Sequence, residues 1–169
     1  MKRFLVLFVA IVAALFALEL TPPAQKWVVG PWTALVAKAS SATVQVFDKS
    51  VIASGPSLYD SGTGWGVTIQ AGCNGVEAMI VLAAGMLAFP ASWRQKIAGI
   101  GIGFIAVQAL NLVRIISLFY LGQWNLEVFH WAHLYGWQVL IMLDVLIVWM
   151  VWINWLARQK KKVAMPVAV

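Results

Sequence analysis

Four apolar segments, each near the length of a membrane-crossing helix, constrain this 169-residue chain more than any other feature. They cover residues 4–20, 74–89, 97–121 and 134–157, and a helix needs about 20 residues to cross a bilayer. Only 11% of the residues are charged, whereas soluble domains have about 25%. This composition excludes a water-soluble globule. The sequence predicts one all-α polytopic membrane domain over residues 1–169, with about four transmembrane helices.

On one side of the predicted membrane, the ends of these segments carry basic residues and no acidic ones. They are Lys2, Arg3, Arg94, Lys96, Arg158, Lys160, Lys161 and Lys162. The positive-inside rule therefore predicts that both termini are cytoplasmic, with a basic tail over residues 158–169. The net charge of +6 does not indicate nucleic-acid binding, because the basic residues form no stripe interleaved with aromatic residues. The first segment also fits a cleaved signal peptide, and that alternative stays open.

The longest stretch between the segments, residues 21–72, is predicted to lie outside the membrane. Trp32, Leu35, Val36 and Ala39 recur at helical spacing, which predicts an amphipathic helix on the membrane surface over residues 31–47. Residues 65–70 alternate between apolar and small or polar side chains, which predicts a short strand just before the second segment.

The single cysteine, Cys73, falls at the outer mouth of the second segment. Alone it can form neither an intramolecular disulfide nor a thiolate metal site. Asn74 and Glu77 resemble a capping box, which would place Cys73 at a helix N-terminus where the dipole stabilises a thiolate. The alternative is an inert buried thiol.

Arg114 is a charge inside the third segment, about seven residues or roughly 10 Å below its outer end. A charge at that depth usually marks a functional site, although an arginine can also snorkel to the headgroups. Asn111 lies one turn deeper and is expected to orient the guanidinium. Glu77 and Asp144 bracket Arg114 by depth and are its expected ionic partners, in supporting roles.

The two histidines, His130 and His133, both fall at the outer mouth of the fourth segment. Either is a candidate general base, and either is equally an interfacial residue. Together with Cys73 and Arg114 they lie in one leaflet and supply a nucleophile, a base and an oxyanion binder. This set is sufficient for acyl transfer through a thioester. The ligand spacing predicts neither a metal site nor a haem, and no cofactor is expected.

Four short motifs give the chain a family resemblance. They are Gly72-Cys73-Asn74-Gly75, Asn111-Leu112-Val113-Arg114-Ile115, Ala132-His133-Leu134-Tyr135 and Trp137-Gln138. In their order and spacing they resemble the exosortase/archaeosortase family, and most closely the small form called exosortase H. The resemblance covers roughly residues 65–157. Most exosortases have about eight spans, so this chain would retain only the catalytic half.

The resemblance implies a transpeptidase of the bacterial inner membrane whose active site faces the periplasm. Its expected partners are exported proteins that end in a signature motif, a transmembrane helix and a basic cluster, together with an acceptor nucleophile. By the same resemblance Cys73 is the nucleophile, Arg114 the catalytic arginine and His133 the base. Gly136 stands three residues after His133 where many relatives have a glycine at four, so His130 remains the alternative base.

Two other functions are compatible with the same residues. A non-enzymatic membrane subunit for assembly or transport would explain the hydrophobicity and the Gly99 and Gly103 pair, which predicts close helix packing. A peptidase that only hydrolyses would use the same catalytic residues as a transpeptidase. The sequence does not separate hydrolysis from transfer, because the two differ only in which nucleophile reaches the thioester.

Overall fold

A computed structural model describes residues 2–164 of the chain, and their side chains as far as residue 159. Seven α-helices account for most of these residues. They are α1 (Lys2–Glu19), α2 (Pro22–Ala24), α3 (Gly30–Val44), α4 (Val76–Ala88), α5 (Trp93–Trp124), α6 (Leu126–Trp131) and α7 (Trp137–Ala164). A π-helical turn joins α2 to α3 at Gln25–Val29, and another joins α6 to α7 at Ala132–Gly136.

Two stretches of helix are long and apolar enough to cross a membrane, namely α5 and the continuous run Leu126–Gln159. A third span results only if α1 is counted together with Pro22–Val44, and that pair is bent by 69°. The apolar helix α4 has 13 residues, about 20 Å, whereas the hydrocarbon core is about 30 Å thick. The count of four spans is therefore not confirmed.

The orientation of the termini stays a prediction. In the predicted basic tail, residues 158–164 continue helix α7, and residues 165–169 lie outside the described residues.

Helix α4 is the centre of the bundle, and α1, α5 and α7 all pack against it. Small residues allow the close approach that the sequence predicted. A Cβ placed on Gly103 would lie 2.6 Å from Leu82 Cδ2, and one placed on Gly99 would overlap the Trp152 indole. Trp152 is itself fixed by donating from Nε1 to the Gln95 carbonyl at 3.0 Å. The glycine pair thus has the packing role expected of it.

A small antiparallel sheet, of which the sequence predicted only one short strand, covers the end of the bundle at which α4 begins. Its strands are β1 (Val51–Ser54), β2 (Ser57–Asp60) and β3 (Gly66–Thr68), in the order β1-β2-β3. The predicted short strand corresponds to β3. The β1–β2 hairpin was not predicted, and Gly55 at its turn has φ +56°.

The predicted amphipathic helix is α3, but protein covers its buried face. Val36, Ala37 and Val44 join a core with residues of the sheet and of α5, among them Leu58 and Phe119. Leu35, expected on the apolar face, is 55% exposed. The expected stripe is displaced because small serines also belong to the interface, and Ser41 Oγ donates to the Val51 carbonyl at 3.0 Å.

Asp60 attaches the sheet to the outer end of α5. Its carboxylate accepts hydrogen bonds from Gly62 N at 2.8 Å, Thr63 Oγ1 at 2.9 Å and Gln123 Nε2 at 2.6 Å. These bonds, above all the one from Gly62, favour the charged form and lower the pKa of Asp60 to about 2. A depressed folded-state pKa means that the carboxylate stabilises the attachment at pH values above its unfolded pKa of about 3.9.

We therefore expect the sheet to loosen as the pH falls from about 4 towards 2. Hydrogen exchange of the β1–β3 amides, followed by mass spectrometry, measures this as a loss of protection over that window. The variant Asp60→Asn cannot titrate, so it should show a smaller dependence over the same window and lower protection at neutral pH. The same pH dependence in both proteins would contradict the assignment.

Candidate active site

Cys73 lies on a tight turn between the sheet and α4. The glycines on either side of it make the turn possible, because Gly72 has φ +85° and Gly75 has φ +80°, values that side chains with a Cβ rarely adopt. Cys73 N donates to the Gln70 carbonyl at 3.0 Å and closes the turn. The thiol is half-buried against the outer core. The turn thus presents the cysteine at the start of α4, as predicted.

The capping box expected from Asn74 and Glu77 is not formed. Gly75 is the N-cap residue of α4, and Asn74 Oδ1 accepts from Val76 N at 3.0 Å. Glu77 Oε1 instead accepts from Gly72 N. The left-handed conformation of Gly75 turns the chain back, so the glutamate reaches the residue before Cys73. Both side chains therefore brace the cysteine turn rather than the helix end alone.

Asn74 also ties the cysteine turn to α3. It is fully buried, its Nδ2 donates to Thr33 Oγ1 at 3.0 Å, and its carbonyl accepts from Trp32 Nε1 at 3.1 Å. Buried hydrogen bonds of this kind fix a single conformation, and each is costly to leave unmade. Asn74 is therefore a positioning residue for the thiol.

Replacing Asn74 by alanine should destabilise the protein by about 1–3 kcal/mol, because Thr33 Oγ1 and Val76 N lose buried partners. Thermal unfolding in detergent measures this loss, and alkylation of Cys73 at a temperature well below unfolding measures the disorder of the turn. The control is Asn125→Ala, since Asn125 Oδ1 caps α6 by accepting from Glu127 N and Val128 N at an exposed site. It should leave the alkylation rate unchanged, and an equal change in both variants would argue against a positioning role.

Arg114 contacts the thiol directly, with Nη2 3.6 Å from Cys73 Sγ. The arginine is 3% exposed and lies in the outer half of α5. Burial raises the pKa of the Cys73 thiol, the Arg114 charge lowers it and the Glu77 charge raises it, and the net direction is upwards. Burial thus outweighs the attraction of the Arg114 charge, and the shift runs opposite to the stabilised thiolate that the sequence predicted.

His133 and His130 lie in the segment between α5 and α7. The His133 ring stacks on Phe129, with ring centroids 5.7 Å apart, and its Nδ1 is buried without a hydrogen-bond partner. His130 packs edge-on against the same phenyl ring. Neither imidazole hydrogen-bonds to Cys73 or to Arg114, and neither histidine lines the cavity beside Arg114.

A cavity of about 200 Å³ opens beside the pair, between α1, α4, α5 and α7. Its polar lining includes Arg114, Glu77 and Gln138, and the rest is mostly apolar. Glu77 Oε2 is buried there without a hydrogen-bond partner. Glu19, at the end of α1, is also buried, with 7% of its surface exposed, and α1 packs against α4, the helix that carries Glu77. Sequence reasoning gave Glu19 no role, although a carboxyl at the end of an apolar segment was a signal.

The supporting contacts predicted for Arg114 are not formed. The buried amide of Asn111 has no hydrogen-bond partner on either atom, and Arg114 Nε has none either. The Asp144 Oδ2 atom is buried and unpartnered too, and the guanidinium bonds to the Cys73 sulfur rather than to a carboxylate. Depth in the membrane does not determine how far each helix is rotated about its axis. Side chains at similar depth, such as those of Asp144 and Arg114, therefore need not meet.

Gln108, to which the sequence gave no role, packs against the cysteine turn. A Cβ placed on Gly75 would lie 2.6 Å from Gln108 Nε2, and the φ of +80° strains any residue other than glycine at that position. The Gln108 amide is buried and has no hydrogen-bond partner. Among the described residues, no group of three metal-binding side chains exists that would hold an ion.

A family model described as transmembrane exosortase matches residues 1–160, which include all the residues of the site. No curated protein and no solved structure matches the chain.

Proposed function

This chain belongs to the transmembrane exosortase family, and we propose that it is a membrane-embedded cysteine transpeptidase or peptidase that removes C-terminal sorting tails from exported proteins. The contact between Arg114 Nη2 and Cys73 Sγ at 3.6 Å carries this proposal. It joins a nucleophile to a fixed cation at the edge of a cavity with room for a peptide group. Arginine is a suitable partner because its guanidinium stays charged when buried.

In the proposed reaction, the His133 imidazole takes the proton from Cys73, and the sulfur attacks the scissile carbonyl carbon. The carbonyl oxygen becomes an oxyanion that Arg114 stabilises. The C–N bond then breaks, the leaving amine takes the proton from His133, and a thioester remains on Cys73. An acceptor amine or a water molecule attacks this thioester, and the thiol is released. His130 is the alternative base in the same steps.

The topology of the proposal follows from the distribution of basic residues. With both termini in the cytoplasm, the cysteine turn, the sheet and α3 lie on the periplasmic side of a bacterial inner membrane. The tailed substrate is exported, so its signature peptide reaches the same side while its basic cluster stays in the cytoplasm. By its motifs the chain is most similar to the small form, exosortase H.

Mass spectrometry of substrate C-termini tests the proposal. Membranes of cells with and without this chain are compared for proteins that lose a C-terminal tail. A new C-terminus that carries an added group indicates transfer, and a free carboxylate indicates hydrolysis. No protein shortened in a chain-dependent manner would contradict both outcomes.

The competing function is that of a non-enzymatic assembly or transport subunit, in which the thiol has no chemical role. An impermeant thiol-reactive probe added from the outer side distinguishes the two. An enzyme predicts labelling of Cys73 that slows when His133 is replaced by alanine, because the base is lost. A subunit predicts a thiol whose labelling is independent of His133.

A further inference from the structure

An apolar groove runs from the cavity at Arg114 towards the opposite end of the bundle, between α1 and α7 and over α4. We propose that this groove, which we call the α1/α7 groove, binds the transmembrane helix of the substrate. The inference rests on the proposed function and specifies where on this chain the tail is recognised. The α1/α7 groove consists of three cavities of about 200, 430 and 540 Å³.

The three cavities follow one another along the bundle, and successive ones share lining residues. Val81, Met142 and Val145 line both the cavity at Arg114 and the next one inward. Phe4 and Trp149 line both that cavity and the innermost one, which ends at Lys2 and Pro90. Along α1, from Phe16 to Phe4, the groove is about 18 Å long at 1.5 Å per residue. A helix of about 12 residues fits that length.

The short helix α4 and the apolar cavity beside Arg114 favour an occupant that is itself a membrane helix. With about 20 Å of helix in a hydrocarbon core of about 30 Å, α4 cannot hold both of its ends at the membrane surfaces. The Cys73 thiol at its outer end is half-buried, and the cavity beside it is mostly apolar. A peptide bond reaches this recessed thiol most readily when the segment that follows it is anchored in the membrane alongside.

The walls of the groove are open to lipid and apolar. Met142 and Leu146 on α7 are 55% and 47% exposed, and Leu5 on α1 is 60% exposed. Gly85 on α4 lines the bottom of the groove. It allows Trp149 to pack closely, because a Cβ on Gly85 would lie 3.1 Å from Trp149 Nε1. That indole nitrogen is a buried donor without a partner. Van der Waals packing against such a concave surface is what drives helix association in lipid.

A second groove lies on the other side of α7. It lies against α5, has a volume of about 320 Å³ and is lined by Ile147 and Val151 together with Gly99 and Gly103. Small residues also favour helix docking there. None of its lining residues belongs to the cavity at Arg114, however, so a helix seated in it has no continuous path to the thiol. Continuity with the reactive pair therefore selects the α1/α7 groove.

Site-directed crosslinking tests the groove with matched positions on one helix. Cys73→Ala removes the natural cysteine and traps the uncleaved substrate, and single cysteines are then introduced as Met142→Cys or Leu146→Cys in the groove. Ile147→Cys and Val151→Cys are the controls, because these residues are 57% and 63% exposed on the other face of α7. The probe is a reporter fused to a tail found to be shortened by this chain, with one cysteine in its transmembrane helix.

We expect oxidative crosslinks to the reporter from Met142→Cys and Leu146→Cys and none from the two controls. In the chain that retains Cys73, Met142→Trp should slow tail removal about tenfold by filling the groove, and Ile147→Trp should not. Crosslinks confined to the controls, or no crosslinks while the tail is still removed in a Cys73-dependent manner, would overturn the groove alone. If no tail is shortened in a Cys73-dependent manner, the proposed function itself fails.

Discussion

Replacing Cys73 by alanine is expected to abolish removal of the C-terminal tail. Loss of an essential nucleophile lowers turnover by roughly 10⁴-fold or more, because the covalent route is closed and only binding and oxyanion stabilisation remain. The measurement is the fraction of a tailed substrate that stays full length in cells expressing the variant. Cys73→Ser should also be inactive or nearly so, because a serine at this position has no base in contact with it to activate the hydroxyl.

Cys73 packs against the hydrophobic core that α3, the sheet and α5 form, so its replacement can also lower stability. A matched control variant separates this structural effect from the loss of the thiol. Val67 is another half-buried member of that core and takes no part in the proposed chemistry. Val67→Ala removes a similar amount of apolar surface, so it should lower the unfolding temperature at least as much as Cys73→Ala. Tail removal should nevertheless continue in Val67→Ala. Undiminished tail removal by Cys73→Ala would rule out a thioester mechanism.

The reactive pair was predictable from the sequence because low charge content makes polar residues inside apolar segments conspicuous. Arg114 is costly in lipid and violates the positive-inside pattern, and Cys73 stands between glycines at a segment boundary. Depth estimated from helical rise places both in one leaflet. The structure brings them into contact across 41 residues of sequence.

The contacts around the pair were not predictable, because they depend on rotation and backbone geometry rather than on depth. Asn111 lies three residues from Arg114 on α5, yet its amide has no partner. The left-handed Gly75 redirects Glu77 to Gly72 N and makes room for Gln108. The spacing of residues along the sequence does not predict which glycine adopts a left-handed backbone conformation.

The outer layer shows a different limit of sequence reasoning. Residues 51–60 form a hairpin that lacks the two-residue Asn-Gly or Asp-Gly signal of a tight turn, and the sequence marks only a turn there, through Gly55 and Pro56. The apolar side of α3 was assigned to the membrane surface because helical periodicity cannot say what covers a face. The structure covers it with the sheet and α5. A periodic pattern predicts that a helix has an apolar face, but only long-range contacts determine whether protein or membrane covers that face.

Arg114 is expected to have a second large effect, and two substitutions separate its charge from its geometry. Its charge lowers the pKa of Cys73 and opposes the effect of burial. In Arg114→Gln the thiol pKa should therefore rise further, and the curve of alkylation rate against pH should move to higher pH. Less thiolate is then present at neutral pH, so Cys73 should be labelled more slowly there.

Arg114→Lys keeps a positive charge but loses the planar fork that can hold both the sulfur and an oxyanion. Its alkylation curve should stay close to that of the original protein, whereas tail removal should fall about 10²-fold or more, as expected when an oxyanion donor is lost. Arg114→Gln should lose at least as much. An arginine that only fills a buried site would give the opposite pattern, in which both variants lose stability while the pH curve of Cys73 does not move. Because the alkylation curve is recorded on folded protein, it distinguishes an electrostatic partner of the thiol from a merely structural residue even where both variants are less stable.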